Sequence, residues 1–460
     1  MDVAGRRGGC EERRDRIVDG AALFALKIAL GLWLLHRGLS HVSDDDFART
    51  VIAEQFAHAP RLDPSGTSWL PFPFWITGSA MAAFGRSLDV ARAVALVMGG
   101  VGAVLVHAAL RAAGVARGAA LAGTVLAMAT PWNAWLGAAT VPEGFTGAFV
   151  AAAAIAAGAP SLASRPAAWS SMALVLVCAS LSRYEVWPAC FMVTMWSLAT
   201  LVSIPARAPD ERRTRAVFAS PWLLSLLPML GPMAWMAWNL HAHGSATHFL
   251  ARVSAYRHAV GAAGAPLGEK LLVYPHALLA APEILLAALA GFAAFALVAK
   301  VRARWTLPLL VALAVVLFLA YGETKEGAPT HHPERALVSI WWILAPFGVD
   351  GARELMTKVT RQSNLGTAAT ILVAAAALAW IGIRSNGLSL LPTRDTADES
   401  RSAQIAEGLA LRAAKVTHVI VTPCAYEHFA LIAAYGSPES VEIRSASREP
   451  LTAACPRIER

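Results

Sequence analysis

VDGAALFALKIALGLWLLHRGLSHVSDDDFART, residues 18–50, decides what kind of molecule this is. Residues 18–37 form a largely apolar run, long enough as a helix to cross roughly 30 Å of hydrocarbon. Immediately beyond it stand Asp44, Asp45 and Asp46, in a chain of 460 residues with only 31 acids. A carboxylate at the bilayer centre costs several kcal/mol. The trio therefore belongs at the mouth of the first span or in a water-filled cavity.

The rest of the chain repeats the first half of that pattern. It is 56% hydrophobic and 15% charged, where soluble domains carry about 25% charged residues. Continuous apolar runs exclude a β-barrel, whose strands alternate. Spans are expected at 18–37, 91–112, 117–136, 142–158, 167–183, 185–204, 217–239, 277–299, 305–321, 336–350 and 364–383. The expected fold is thus an all-α polytopic membrane protein of about eleven transmembrane helices. The opening MDVAGRRGGCEERRDR has the charge of a signal peptide, but the run after it is longer than a signal core and reads as an uncleaved span.

Charge assigns the sides. Basic clusters at Arg6–Arg16, Arg111–Arg117, Arg165, Arg207–Arg215, Lys300–Arg304 and Arg353–Arg361 fall in alternate short loops, as the positive-inside rule asks. The net charge of +8 is topological on this reading, and nucleic acid is not an expected partner. The opposite, outer face receives the longer loops 38–90, 240–276 and 322–335, and the tail from 384. Within the first of these, WLPFPFWITGSAMAAFG (69–85) reads as a proline-broken helix at the membrane interface.

The expected domains are a cytoplasmic segment, 1–17, a transmembrane domain, 18–383, with the outer loop 38–90, and a small α/β domain, 396–460, on the outer face. In the last, SAQIAEGLALRAAKV and AYEHFALIAAYG have helical spacing, and THVIVTP and SVEIRS read as strands. It has no glycine-rich phosphate loop. Alanine- and arginine-rich usage suggests a bacterial plasma membrane. Of the cysteines, Cys178 and Cys190 fall in apolar runs, while Cys424 and Cys455 are placed to form a disulfide if the tail faces an oxidising compartment.

Three adjacent anions repel one another and raise proton affinity or recruit a cation. Asp44, Asp45 and Asp46 are accordingly candidates for a general base or a cation ligand; the bland alternative is that they cap the helix of FARTVIAEQF. SRYEVWP supplies Arg183 and Glu185 at a span end. ETKEGAPTHHPERAL supplies Lys325, His331, His332 and Arg335 in an outer loop. Cations at such places suit a phosphate, with Arg183, Arg335 and Lys325 as the candidates. Glu143 in ATVPEGF lies near the level of the aspartates, and with Glu185, His331 and His332 is a candidate for the substrate cavity. His241, His243 and His248 have spacing that could bind a metal but no accompanying cysteine or close acid. No cofactor is required on this reading; a divalent cation stays possible.

A paired acid after the first span, the helix IAEQF, the segment SWLPFPFW, then FGRSLDVARAVALVMG leading into the second span, together resemble the GT-C superfamily. More narrowly they resemble the bacterial protein O-mannosyltransferase and lipid A aminoarabinose transferase family. The resemblance runs through residues 18–160 and weakens to general architecture through 383. It implies a glycosyltransferase that takes a sugar from a polyprenyl-phosphate carrier to an acceptor on the outer face of the membrane. It places the family's paired acids on Asp45 and Asp46, acting on the acceptor hydroxyl or helping to position it. Asp46 stands where many relatives have Glu, and Asp44 is an extra acid. The alternative expectation is a transporter or flippase of a lipid-linked or anionic substrate, which would show internal repeats and mid-membrane polar residues.

Overall fold

A computed structural model describes residues 3–66, 68–159, 166–203, 221–259, 265–325, 332–384, 399–423, 426–444 and 457–459. Each of the expected span windows holds helix. In chain order the helices are α1 (Val3–His36), α2 (Asp45–His58), α3 (Phe72–Phe84), α4 (Leu88–Ala112), α5 (Arg117–Ala129), α6 (Pro131–Leu136), α7 (Glu143–Ala157), α8 (Pro166–Ser180), α9 (Trp187–Ser203), α10 (Pro221–Leu226), α11 (Leu230–His243), α12 (His248–Ala259), α13 (Leu267–Ala277), α14 (Pro282–Leu297), α15 (Ala299–Thr324), α16 (Val338–Thr360) and α17 (Ser363–Arg384). The tail adds α18 (Ser402–Ala413), β1 (Val419–Thr422), α19 (His428–Tyr435), β2 (Val441–Ile443) and β3 (Arg457–Glu459).

Among the described residues, five helical segments are long and apolar enough to cross a membrane: Arg14–His36, Leu88–Ala112, Leu223–His243, Ala299–Thr324 and Ser363–Arg384. A sixth is the pair Leu267–Ala280 and Pro282–Leu297, bent by 91°. The chain is a polytopic membrane protein, but its crossings are less uniform than eleven equal windows. Proline explains two departures. The expected 117–136 span breaks where Pro131 opens α6, because proline removes an amide donor and clashes with the preceding turn. Pro282 starts α14 just past the 91° bend. Others are short: α7 has 15 residues and α8 has 15.

Helix α16 is the axis of the bundle. Every residue from Val338 to Ala352 is buried, and it packs against α14, α17, α5 and α7. Its approach to α14 is set by small residues. A Cβ on Gly351 would lie 2.4 Å from the Gly291 Cα, and one on Gly348 would lie 2.5 Å from the Ala287 carbonyl. Close backbone contact of this kind is how helices associate where lipid removes the hydrophobic drive.

The two ends of the bundle differ in charge. At one end the basic loops meet each other. Arg117 donates to Asp15 and Asp19. Arg304 donates to the Ala113 and Gly114 carbonyls and to Asp350, and Lys300 pairs with Glu354. At the opposite end lie α2, α3 and the tail domain. In the tail, β1 is central, parallel to β2 (Val419 opposite Val441) and antiparallel to β3 (Ile420 opposite Glu459). β3 goes beyond the two strands expected from sequence. α19 packs on α2, closing a core of Phe47, Val51 and Leu88 with Leu411, Val421 and Leu431. Cys424 and Cys455, and so their expected disulfide, lie outside the described residues, as do the loops holding Arg165 and Arg207–Arg215.

Candidate active site

The site is assembled at the end opposite the basic loops. The three aspartates occupy the loop into α2 and its first turn, where carboxylates are favoured by the helix dipole, and the structure gives each a different environment. Asp46 is 2% exposed. Its Oδ2 accepts the Val42 and Ser43 amides at 3.1 and 3.2 Å. Its Oδ1 accepts the Thr140 amide at 2.7 Å and the Thr140 hydroxyl at 3.2 Å. Burial pushes this carboxyl above its ordinary value, with the charge of nearby His41, the Ser43 and Val42 amides and Arg335 opposing. Its oxygens are filled, so it fastens the first loop to the α6–α7 turn. Asp44 receives both arms of Arg401, Nε at 2.9 Å and Nη2 at 2.8 Å, and ties α2 to the tail. Asp45 is the open one. Its side chain is 41% exposed, and its Oδ2 accepts Arg335 Nη1 at 3.2 Å.

Around Asp45 is a buried ion cluster drawn from distant parts of the chain. Arg335, 4% exposed, donates from Nε and Nη2 to Glu143 Oε1 at 3.1 and 2.6 Å, and from Nη1 to the Ser43 hydroxyl at 2.9 Å. Burial alone would lower this guanidinium, but Glu143 and Asp45 outweigh it and raise it above its ordinary value. Arg183 Nη1 reaches the same Glu143 oxygen at 2.9 Å, and its Nε donates to Glu185 at 2.7 Å. Glu143, 2% exposed at the start of α7, is therefore a clamp holding two arginines side by side. Beside the clamp is a cavity of about 10 Å³, lined by Glu143, Glu185, Arg335 and Ser339 among others. That is room for about one water.

Sequence reasoning missed Arg49. It is 4% exposed and lies over the Trp69 ring at 4.3 Å and the Phe74 ring at 5.7 Å. Its Nε and Nη1 are buried without a hydrogen-bond partner. Burial pulls this guanidinium down to about 10, with Glu143 and Asp45 working against it. The signal was present: Arg49 follows Asp45 by four residues, one helical turn on the same face. Ser43 and Thr140 were also missed.

The remaining candidates spread out. His332 lies tilted beside Trp132 at 5.7 Å, with a left-handed backbone at φ 50°, and its carbonyl accepts the Arg335 amide. Lys325 stands exposed at the end of α15, 5.9 Å from the Tyr321 ring, with no ion pair to the cluster among the described residues. His331 lies outside the described residues. His243 and His248 stack on each other at 4.2 Å. Among the described residues no group of three or more His, Cys, Asp or Glu is arranged to hold a metal. The cationic part of the site is made of arginine.

No protein-family model and no curated protein sequence matches the chain. Solved structures do. ArnT from Cupriavidus metallidurans bound to undecaprenyl phosphate superposes with a TM-score of 0.54 at 13% identity, covering 91% of this chain and 89% of that one. The oligosaccharyltransferase AglB of Archaeoglobus fulgidus, in complex with an inhibitory peptide and a dolichol phosphate, gives 0.50 at 12% identity over 86% of this chain and 58% of its own. The Archaeoglobus oligosaccharyltransferase tethered to an acceptor peptide gives 0.53 at 12%, covering 92% and 63%. This chain spans less than two thirds of those archaeal proteins. At these identities the likeness is one of fold.

Proposed function

We propose that this protein is an integral membrane glycosyltransferase that moves a hexosyl or pentosyl unit from a polyprenyl-phosphate donor to an acceptor. The reading assigns the face carrying Asp45 and the tail domain to the outside of a bacterial inner membrane. It rests above all on one observation: an open carboxylate, Asp45, beside two buried arginines, Arg49 and Arg335, and a partly buried third, Arg183. Neighbours of the same fold that hold undecaprenyl or dolichol phosphate support it.

The chemistry asks for two things. An acceptor hydroxyl must lose its proton as it attacks the anomeric carbon, and the departing phosphate must be stabilised as the carbon–oxygen bond breaks. Asp45 is the base of choice because Asp46 has no free lone pair facing outward and Asp44 is held by Arg401. Its carboxylate takes the hydroxyl proton, and the acceptor oxygen forms its bond from the face opposite the phosphate, inverting the centre. Charge developing on the phosphate falls to the arginines. Preorganised donors in a dry site stabilise such charge far better than water does, and a guanidinium fork matches phosphate oxygens in pairs. Arg49 enters with Nε and Nη1 uncommitted. Arg335 and Arg183 exchange part of their Glu143 contacts for phosphate, with Glu143 keeping them in place. A divalent cation is not needed for this scheme.

The test is transfer of radiolabel from a panel of polyprenyl-phosphate sugars in sealed membrane vesicles by wild type and Asp45→Asn. Label should move from one donor with wild type and not with the variant at equal protein level. If wild type moves no label but changes which leaflet the lipid occupies, the protein is a transporter and the proposal fails.

A further inference from the structure

A second cationic cleft lies away from the candidate active site, where the tail domain meets the outer loop. It encloses about 230 Å³ and is lined by Arg86, Arg412, Lys415, Tyr435, Gly436 and Ser437. Pockets for whole drug-sized ligands begin near 300 Å³, so this one suits a small group.

The lining holds three cations and no carboxylate. Two of the three, Arg412 and Lys415, are exposed and have no ion pair among the described residues. Arg86 is engaged from outside the cleft by Glu439 at 2.7 Å. A second carboxyl lies close by but outside the lining. Glu54 is 0% exposed, and neither of its oxygens has a hydrogen-bond partner. Burial pushes it well above the ordinary carboxylate value despite the charges of Arg86 and Arg412. Arg412 and Lys415 end α18, where cations offset the helix dipole. That accounts for their charge but not for Arg86, which comes from the α3–α4 connection more than 300 residues earlier.

The walls are brought together by glycine. Gly436 ends α19 at φ +81°, and a Cβ there would meet the Arg86 carbonyl at 2.9 Å and Arg412 Nη1 at 3.3 Å. Height also matters. Arg86 immediately precedes Ser87, whose hydroxyl caps α4 by accepting the Val90 amide at 3.3 Å, and α4 is one of the five clear spans. Phe84, two residues before Arg86, is 81% exposed. The cleft therefore opens at the outer edge of the apolar layer.

We propose that this cleft binds a phosphate group. Two guanidinium forks and one ammonium, drawn from two distant parts of the chain, offer more donors than one carboxylate accepts and suit the several oxygens of a phosphate. The phosphate belongs either to a lipid headgroup or to a soluble phosphate compound. The proposal needs no glycosyl transfer and stands apart from the reading of the Asp45 site.

The experiment uses the full-length protein and the double variant Arg412→Gln/Lys415→Gln, whose changes are both at exposed positions. Inorganic phosphate is titrated calorimetrically in detergent against matched chloride. Bound lipid is counted by native mass spectrometry after reconstitution in phosphatidylcholine nanodiscs with or without phosphatidylglycerol. Arg49→Gln separates this cleft from the buried cluster. Wild type and Arg49→Gln should bind phosphate, or retain phosphatidylglycerol, with affinity at least about tenfold above the double variant, the change expected for losing one charge-assisted contact. Phosphate binding alone marks a soluble ligand, and lipid retention alone marks a headgroup. Absence of both in wild type, binding unaltered in the double variant, or binding lost only in Arg49→Gln overturns the proposal.

Discussion

Arg304 and Arg49 are equally buried, each 4% exposed, and stand at opposite ends of the bundle. Arg304 has all three nitrogens bonded, Nε to the Ala113 carbonyl, Nη2 to the Gly114 carbonyl and Nη1 to Asp350, whose other partner is the Trp305 indole. Arg49 lies on an aromatic face with Nε and Nη1 empty. A buried polar group without a partner costs about 1–3 kcal/mol, and more if charged. A helical protein that satisfies one arginine so fully has no structural reason to leave another unfilled. The first arginine joins helices. The second holds binding capacity in reserve.

That contrast can be broken in several ways. The largest effect is expected at Asp45, the open carboxylate between them in role: Asp45→Asn should slow transfer by about 10²–10⁴-fold, the usual worth of a positioned base, measured as label moved per protein. Asp46→Asn should instead lower the thermal midpoint, because it disturbs a fully bonded carboxylate; equal stability with lost activity would reverse the roles assigned to the two. Next, Arg304→Gln should destabilise by about 3–5 kcal/mol, since it leaves Asp350 buried and unpaired, read as a drop in Tm in detergent. Arg49→Gln should do the opposite: turnover falls about 10- to 100-fold, while Tm changes little. If Arg49→Gln unfolds the protein and Arg304→Gln does not, the contrast fails.

The smallest effect concerns Glu54. A carboxyl raised in the folded state binds its proton more tightly there than in the unfolded chain. Its stabilising contribution is complete below the unfolded value of 4.5 and is lost as pH rises toward the folded one. Wild type should therefore lose a degree or two of Tm relative to Glu54→Gln over that climb. Parallel Tm curves for the two proteins would show Glu54 to be ionised when folded.

The apolar runs and the alternation of basic loops were legible because both are local patterns that a single sequence carries. The tail's helix–strand–helix–strand order was legible for the same reason. What the sequence did not disclose is pairing at a distance. Asp46 looked like half of a catalytic pair, and its saturation depends on Thr140, 94 positions away. Asp44 looked like a third candidate, and Arg401 is 357 positions away. Arg183, Glu143 and Arg335 were each noted singly, but one Glu143 oxygen serving both arginines has no local signature. Arg49 had one, the turn it shares with Asp45, but such a pair on a helix is also an ordinary surface feature.

The Asp44–Arg401 pair has a consequence for how the protein is made. At roughly 5–20 residues per second, the ribosome needs on the order of a minute to travel from one partner to the other. Through that interval α2 has crossed to its place without its clasp, held only by what is already synthesised: the Val42 and Ser43 amides on Asp46 first, then Thr140. The loop carrying Asp45 thus acquires its final fastening from the part of the chain that emerges long after it, and a product that stops before Arg401 leaves Asp45 on an unclasped helix.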